Sequence, residues 1–215
     1  MAGKAILYDY WRSSASYRVR IALNLLGLAY ETVSVDLLKH EHKGIDHLIR
    51  NPQGLVPALA IDGHMLTQSL AIIEYLDETH PGAGFLPADP VGRQRVRALS
   101  YAIAMEIHPV CNLGVISHVM QLTGGGDESR ELWMRKFIAE GLTAVETLLD
   151  HPDTGKFCHG DAPCIADFCL VPQVYNARRW GADIDHLSRV NTIVERCEAM
   201  EAFAAAQPDR VKREA

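Results

Sequence analysis

The chain has 215 residues, 48% of them hydrophobic, which allows one or two domains with a sizeable core. Its formal net charge of −6 argues against a protein that binds nucleic acids non-specifically. No apolar run approaches the length of a membrane span, and the first residues lack a signal-peptide pattern. We therefore expect a cytoplasmic protein with neither a nucleic-acid nor a membrane partner.

The first informative segment is a predicted turn from a strand to a helix. Residues 5–8 alternate as a short strand does, and residues 14–26 carry apolar side chains at helical spacing. Ser13 and Ser14 lie between them, at the helix N-terminus, where unpaired backbone N–H groups and a partial positive charge favour an anion. A simple N-cap role for Ser13 or Ser14 explains the same residues equally well.

A second such junction follows a predicted hairpin. Residues 58–61 and 64–66 read as two strands joined by Asp62-Gly63, a strong hairpin signal. Pro57 stands at the first strand position, and the sequence does not decide whether the Val56–Pro57 bond is cis. Ser69 is the predicted N-cap of the next helix, which gives a second possible anion site.

The order of elements changes after about residue 87. Before it, strands and helices alternate, with residues 30–35 as the second strand, and this predicts a small α/β domain with a mixed sheet. Beyond it, the pattern predicts only helices. These are a long helix over residues 91–121 bent at Pro109, a second over 128–149, a buried one over 165–180 and smaller ones near 188–207.

The five cysteines include no Cys-x-x-Cys pair. Cys158, Cys164 and Cys169 lie close in sequence beside His159, but their spacing matches no zinc site, so we expect no metal. Buried, reduced thiols of a cytosolic protein are the favoured interpretation.

Several segments together resemble the zeta class of cytosolic glutathione transferases. They are residues 13–23, which read Ser-Ser-Ala-Ser-Tyr-Arg-Val-Arg-Ile-Ala-Leu, the pairs Val56-Pro57 and Gln68-Ser69, and residues 170–174. The resemblance covers essentially the whole chain. It implies a thioredoxin-like domain over residues 1–87, an all-helical domain over residues 88–215, glutathione as cofactor and a homodimer.

The resemblance also implies a set of residues that bind glutathione. Ser14 would contact the sulfur with help from Ser13, and the remaining groups would hold the peptide: Val56 by its backbone, Gln68 and Ser69 at the γ-glutamyl carboxylate, and His108 and Asn112 from the long helix. Other transferase classes use a tyrosine hydroxyl, so Tyr8 and Tyr10 are the alternatives to Ser14. For His108, a purely structural role next to Pro109 stays open. Arg18 and Arg20 are expected to serve structure or ion pairing.

The implied activity is cis–trans isomerisation of maleylacetoacetate to fumarylacetoacetate, a step of tyrosine and phenylalanine breakdown. Arg12 and Arg179 would bind the substrate carboxylate, although either Arg178 or Arg179 could instead belong to an exposed helix face. Ala15 replaces the cysteine that is usual in this class, which disfavours reductive dehalogenation. Two alternatives remain: isomerisation of maleylpyruvate, which Leu113 after Asn112 disfavours, and a noncatalytic glutathione-binding protein.

The helix near residue 165 also departs from the family pattern. The family usually has Ser or Thr at its N-cap, whereas Cys164 stands here, three residues before Asp167. Because a thiol is a weak acceptor, the sequence predicts a poorer cap.

Overall fold

The computed structural model describes residues 4–212, which divide into two compact units. One unit contains the residues up to Phe85 together with those from Ala199 onward, and the other contains Leu86–Glu198.

The first unit is an α/β layer with a four-stranded mixed sheet. Its elements are β1 (Ala5–Asp9), α1 (Ser14–Leu25), β2 (Tyr30–Ser34), a short 3₁₀ turn (Glu41–Lys43), α2 (Ile45–Arg50), β3 (Ala58–Ile61), β4 (His64–Thr67) and α3 (Ser69–Thr79). The strand order is β2-β1-β3-β4, with β1 and β2 parallel and the other pairs antiparallel. This confirms the predicted mixed sheet and the predicted hairpin at Asp62-Gly63.

The core of this unit forms where the central strands meet α1 and α3. Leu7 of β1 and Leu59 of β3 are paired across the sheet and are fully buried. Ile72 and Ile73 of α3 and Ile21 of α1 are equally inaccessible to solvent. Both helices therefore have fixed positions at the sheet, and so do their N-termini.

Two short helices near the C-terminus also belong to this unit, α10 (Glu201–Ala206) and α11 (Pro208–Val211). Arg20 donates from Nε to the Ala206 carbonyl at 3.0 Å, and Asn24 donates to the Ala202 carbonyl at 2.9 Å. The predicted division, with one helical domain from residue 88 to the C-terminus, thus differs from the structure over this last segment, because its polar partners lie on α1.

The second unit is all-helical. Its elements are α4 (Pro90–Tyr101), a π-helical segment (Ala102–Ile107), α5 (His108–Val110), α6 (Leu113–Thr123), α7 (Asp127–Leu148), α8 (Ile165–Trp180) and α9 (Ser188–Glu198). The expectation of one bent helix over residues 91–121 is wrong. The helix changes to π geometry at Ala102 and ends before Asn112, whose Oδ1 accepts from the Gly114 N–H at 2.8 Å and caps α6.

By length and composition alone, the stretch Pro90–Thr123 could cross a membrane, with a mean hydropathy of 1.3 over its most apolar window. This differs from the expectation drawn from the sequence. A core helix of a soluble protein passes the same test. Here the stretch is also interrupted at Cys111 and Asn112.

Candidate active site

The junction between β1 and α1 places two serines at a helix N-terminus. Ser13 is the N-cap, and its hydroxyl accepts from the Ser16 N–H at 3.2 Å. The simple capping role is thus established for Ser13. Ser14 is the first helical residue and is partly exposed, so it presents a hydroxyl where the helix carries its positive end.

A buried ion pair fixes the turn that precedes these serines. Arg20 of α1 donates to both carboxylate oxygens of Asp9, at 2.8 and 2.7 Å, and to the Trp11 carbonyl at 3.0 Å. Both charged side chains are at most 2% exposed. The structure therefore confirms ion pairing as the role of Arg20, and this pairing links the end of β1, the turn and α1.

Arg12 lies in the same turn and is half-buried. Its guanidinium stacks over the Trp11 ring at 5.1 Å and donates to the Tyr10 hydroxyl at 3.5 Å. Tyr10 is therefore engaged by Arg12, and Tyr8 lies within β1 beneath the Arg50 guanidinium at 4.5 Å from its ring. Ser14 lies at the N-terminus of α1, and neither tyrosine does.

The N-terminus of α3 differs from that of α1. The prediction of Ser69 as N-cap is wrong: Gln68 is the cap, and Ser69 is already helical. Gln68 has a left-handed backbone (φ 67°), which fits a residue that leaves the strand direction directly before the helix. Its side chain makes no capping bond and donates instead to Gln53 Oε1 at 2.7 Å.

Ser69 is buried and bonded to α1. Arg18 donates from Nη1 to the Ser69 hydroxyl oxygen at 3.3 Å, and both residues have little exposed surface, 2% and 7%. This contact links α1 to the N-terminus of α3.

The loop before β3 is anchored by α2. His47 and Asn51 both bond to the Leu55 carbonyl, at 2.8 and 2.9 Å. Gly54 has a φ of 60°, and a Cβ there would lie 2.9 Å from the His42 carbonyl oxygen, so the loop requires glycine. The Val56–Pro57 bond that follows is cis. Val56 lies two residues before β3.

The remaining predicted residues belong to the second unit. His108 begins α5 and is partly buried, while Asn112 serves as a helix cap through Oδ1, which leaves its amide N–H groups for another partner. Arg179 lies 4.6 Å over the Trp180 ring. Arg178 pairs with Glu198 at 2.8 Å, and both arginines are exposed on the surface of α8.

The cysteines are free thiols, and four of the five are buried. Burial raises the pKa of the Cys158 and Cys164 thiols well above the usual value, and desolvation raises that of Cys111 to about 11. Cys164 donates from Sγ and from its N–H to Asp167 Oδ2, at 3.1 and 2.8 Å, so Asp167 makes the capping contact that the thiol makes poorly. The prediction of buried thiols is thus confirmed for four of the five, and Cys111 is half-buried.

Within residues 4–212 there is no group of three His, Cys, Asp or Glu side chains that could hold a metal ion. The anion-binding groups of the first unit suit a different kind of ligand. Ser14 at α1 offers a hydroxyl to a thiolate, and the uncapped N-terminus of α3, with Ser69 and Arg18, offers donors to a carboxylate. A peptide that carries both groups, as glutathione does, fits this donor set.

Sequence reasoning missed two contributors to this arrangement. Gln53 carries the acceptor that holds Gln68, and Arg18 reaches Ser69 from another helix. No local pattern reports either contact, because the partners are 15 and 51 residues apart in sequence.

Comparison with known proteins gives consistent matches. The sequence profile of the glutathione S-transferase N-terminal domain matches residues 3–78. The chain is 64% identical to the maleylacetoacetate isomerase of Rhizobium meliloti (strain 1021), over 99% of this chain and 100% of that protein. It is 44% identical to the mouse (Mus musculus) maleylacetoacetate isomerase, over 97% of this chain and 94% of that one.

Solved structures match over nearly the full length. A holo structure of a zeta-class maleylpyruvate isomerase has a TM-score of 0.94 and 40% identity, and covers 98% of this chain and 100% of its own. The maleylacetoacetate isomerase of Methylobacterium extorquens AM1, solved with bound malonate and glutathione, has a TM-score of 0.93 and 41% identity, with 96% and 98% coverage.

Proposed function

Since the chain belongs to the zeta class of the glutathione S-transferase family, we propose that it is a glutathione-dependent isomerase that converts maleylacetoacetate to fumarylacetoacetate. The 64% identity to a maleylacetoacetate isomerase over the whole chain carries this proposal. The arrangement of Ser13 and Ser14 supports it, because Ser13 supplies the side-chain cap and Ser14 is left at the positive end of α1.

Glutathione, when bound, supplies the thiol whose reversible addition to the cis double bond allows that bond to rotate. The part of Ser14 is to donate a hydrogen bond to the sulfur and so favour the thiolate, helped by the N–H groups of the first turn of α1. Ser13 assists by fixing the geometry of that turn. The Arg20–Asp9 pair keeps the turn in place without contact to the ligand.

The peptide is held by groups spread along the chain. Val56 exchanges backbone hydrogen bonds with the cysteinyl part, and Gln68 and Ser69 bind the γ-glutamyl carboxylate. His108 and the amide N–H groups of Asn112 are the further groups that bind glutathione. These groups bind the cofactor equally before and during the reaction, so they affect affinity more than rate.

Two arginines act on the substrate. Arg12 and Arg179 are permanently charged, and each already stacks on a tryptophan that restricts its guanidinium. They bind the substrate carboxylate and oppose the negative charge that develops on the carbonyl oxygen. We also propose that the protein is a cytoplasmic homodimer that acts in tyrosine and phenylalanine breakdown.

The test is to supply glutathione in amounts far below the substrate. We expect many product molecules for each glutathione, no turnover without it, and higher kcat/KM for maleylacetoacetate than for maleylpyruvate. Preference for maleylpyruvate would assign the chain to the shorter substrate, and glutathione binding without turnover would make it a noncatalytic binder.

A further inference from the structure

We propose that Arg18 is a positioning residue for the cofactor, which orients the Ser69 hydroxyl towards the γ-glutamyl carboxylate and places a positive charge behind it. The inference rests on the proposed function, since it presumes that glutathione binds at the N-terminus of α3.

The contact joins two helices of the first unit. Arg18 lies one turn into α1, and Ser69 is the first residue of α3. The distance from Nη1 to Oγ is 3.3 Å, with Arg18 only 2% exposed. A guanidinium stays charged in proteins, so this position contains a permanent cation with almost no contact with water.

The donors and acceptors of the Arg18 guanidinium and the Ser69 hydroxyl determine the direction of the hydrogen bond. Arginine has donors only, so the Ser69 oxygen must be the acceptor. The single hydroxyl proton of Ser69 is then left to point to another acceptor. An oxygen that accepts from a cation also becomes a better donor, since linked hydrogen bonds polarise one another. Arg18 therefore makes Ser69 a donor aimed at an anion.

The start of α3 adds further donors. Gln68, its N-cap, makes no side-chain capping bond, so the first N–H groups of α3 receive none from it. At α1 the equivalent place is filled by the Ser13 hydroxyl. A hydroxyl, helix N–H groups and a buried cation at one helix end suit a carboxylate better than any neutral group.

Arg20 is the matched comparison on the same helix. It is as buried as Arg18, but it donates to the Asp9 carboxylate, whereas Arg18 donates to Ser69, a residue proposed to bind glutathione. Loss of Arg20 should thus affect the fold and not the recognition of a particular group on glutathione. Arg18 should affect both, and only the second effect depends on the ligand.

The test compares glutathione with an analogue that lacks the γ-glutamyl α-carboxylate, γ-aminobutyryl-cysteinyl-glycine. Calorimetry gives the Kd of both ligands for the parent, Arg18→Met, Arg18→Lys and Arg20→Met, and thermal unfolding reports whether each variant is folded. Because Arg18→Met removes a charge-assisted contact, it should raise the Kd of glutathione about tenfold or more and that of the analogue less than about twofold. Arg18→Lys keeps the charge, so its affinity for glutathione should fall only a few-fold.

The outcomes separate the two proposals. If the parent does not bind glutathione, the proposed function itself fails. If the parent binds glutathione and Arg18→Met raises the Kd of both ligands equally, Arg18 is merely structural. An equal rise for both ligands is what we expect of Arg20→Met, provided that this variant folds. Should Arg18→Met not fold, Arg18→Lys decides: a loss confined to glutathione supports the proposal, and equal Kd changes for the two ligands overturn it.

Discussion

Ser13 and Ser14 are neighbours, but Ser13 has a structural role and Ser14 is proposed to have a chemical one. Ser13 is bonded to the Ser16 N–H as an N-cap, whereas Ser14 is the first residue of α1. Ser14→Ala should lower turnover by a factor that corresponds to about 1.5–3 kcal/mol, with a smaller change in the Kd of glutathione, because its hydroxyl acts on the sulfur. Steady-state kinetics and a glutathione titration measure both quantities.

Ser13→Ala is the control for that experiment. Loss of a helix cap should lower the unfolding free energy by about 1 kcal/mol and leave the thiol contact in place. If the turnover number were unchanged in Ser14→Ala and reduced in Ser13→Ala, the sulfur contact would belong to Ser13 and not to Ser14.

The Asp9–Arg20 pair is predicted to be the most costly single contact to break in the first unit. Arg20→Met leaves a buried carboxylate without its partner and should lower the unfolding free energy by about 3–5 kcal/mol in urea titrations. Lys4→Met removes the exposed Lys4–Glu31 pair and should lower the unfolding free energy far less, because solvent screens that pair. Similar losses in the two variants would mean that Asp9 gains other partners.

Asp167 gives the stability a pH dependence of known sign. Burial raises the pKa of its carboxyl, although the N–H groups of Cys158 and Cys164 act in the opposite direction. The folded state therefore holds this proton more tightly than the unfolded state. The contribution favours folding at low pH and is lost as the pH rises from about 3.9, the ordinary aspartate value, through the raised one.

Asp167→Asn removes this titration. The unfolding free energy of the parent minus that of Asp167→Asn should decrease as the pH rises across the window, measured by urea unfolding at a series of pH values. A difference that increases with pH would show that the folded state prefers the carboxylate instead.

The sequence predicted the residue types of the site better than their partners. Ser13 and Ser14 follow from local patterns, because a cap and a first helical residue depend on neighbours in the chain. The Arg18–Ser69 and Gln53–Gln68 contacts depend on tertiary packing. The error at Ser69 has the same origin, since the positive φ of Gln68 is set by its surroundings and has no signal in the residue itself.

Among the elements, strands and hairpin were predictable and the helix around residue 105 was not. Asp62-Gly63 and period-two alternation specify β3 and β4 locally. The π segment Ala102–Ile107 has no such signal, but it lies against α7 at a glycine. The Ile107 side chain occupies the space that a Cβ on Gly141 would need.

Gly141→Ala should therefore destabilise the protein, although alanine is the better helix former. Overpacking at a buried contact is expected to lower the unfolding free energy by about 1–3 kcal/mol, more than the gain in helix propensity of about 1 kcal/mol. Gly126→Ala is the control, because a Cβ there meets nothing within 4 Å. Adding Ile107→Ala to Gly141→Ala should restore part of the loss, and no recovery would place the strain elsewhere.

For the whole molecule, the sequence indicated where mixed structure changes to helical structure. It did not indicate that the last residues belong to the first unit. Residues from Ala199 onward belong to the first unit, where α1 supplies partners for their carbonyl groups. Lys212 lies 5.1 Å over the Trp11 ring, so this segment reaches the turn that precedes Ser14. Helical periodicity alone does not report which unit a helix joins.

In the proposed function, Ser14 and the N-terminus of α1 stabilise the thiolate of bound glutathione. The most direct measurement is an ultraviolet titration of that thiol, in the parent and in Ser14→Ala, at saturating enzyme. We expect the thiol of bound glutathione to have a pKa in the parent clearly below the value of about 8.5 for a free thiol, and a higher pKa in Ser14→Ala. The same pKa in both proteins would contradict it.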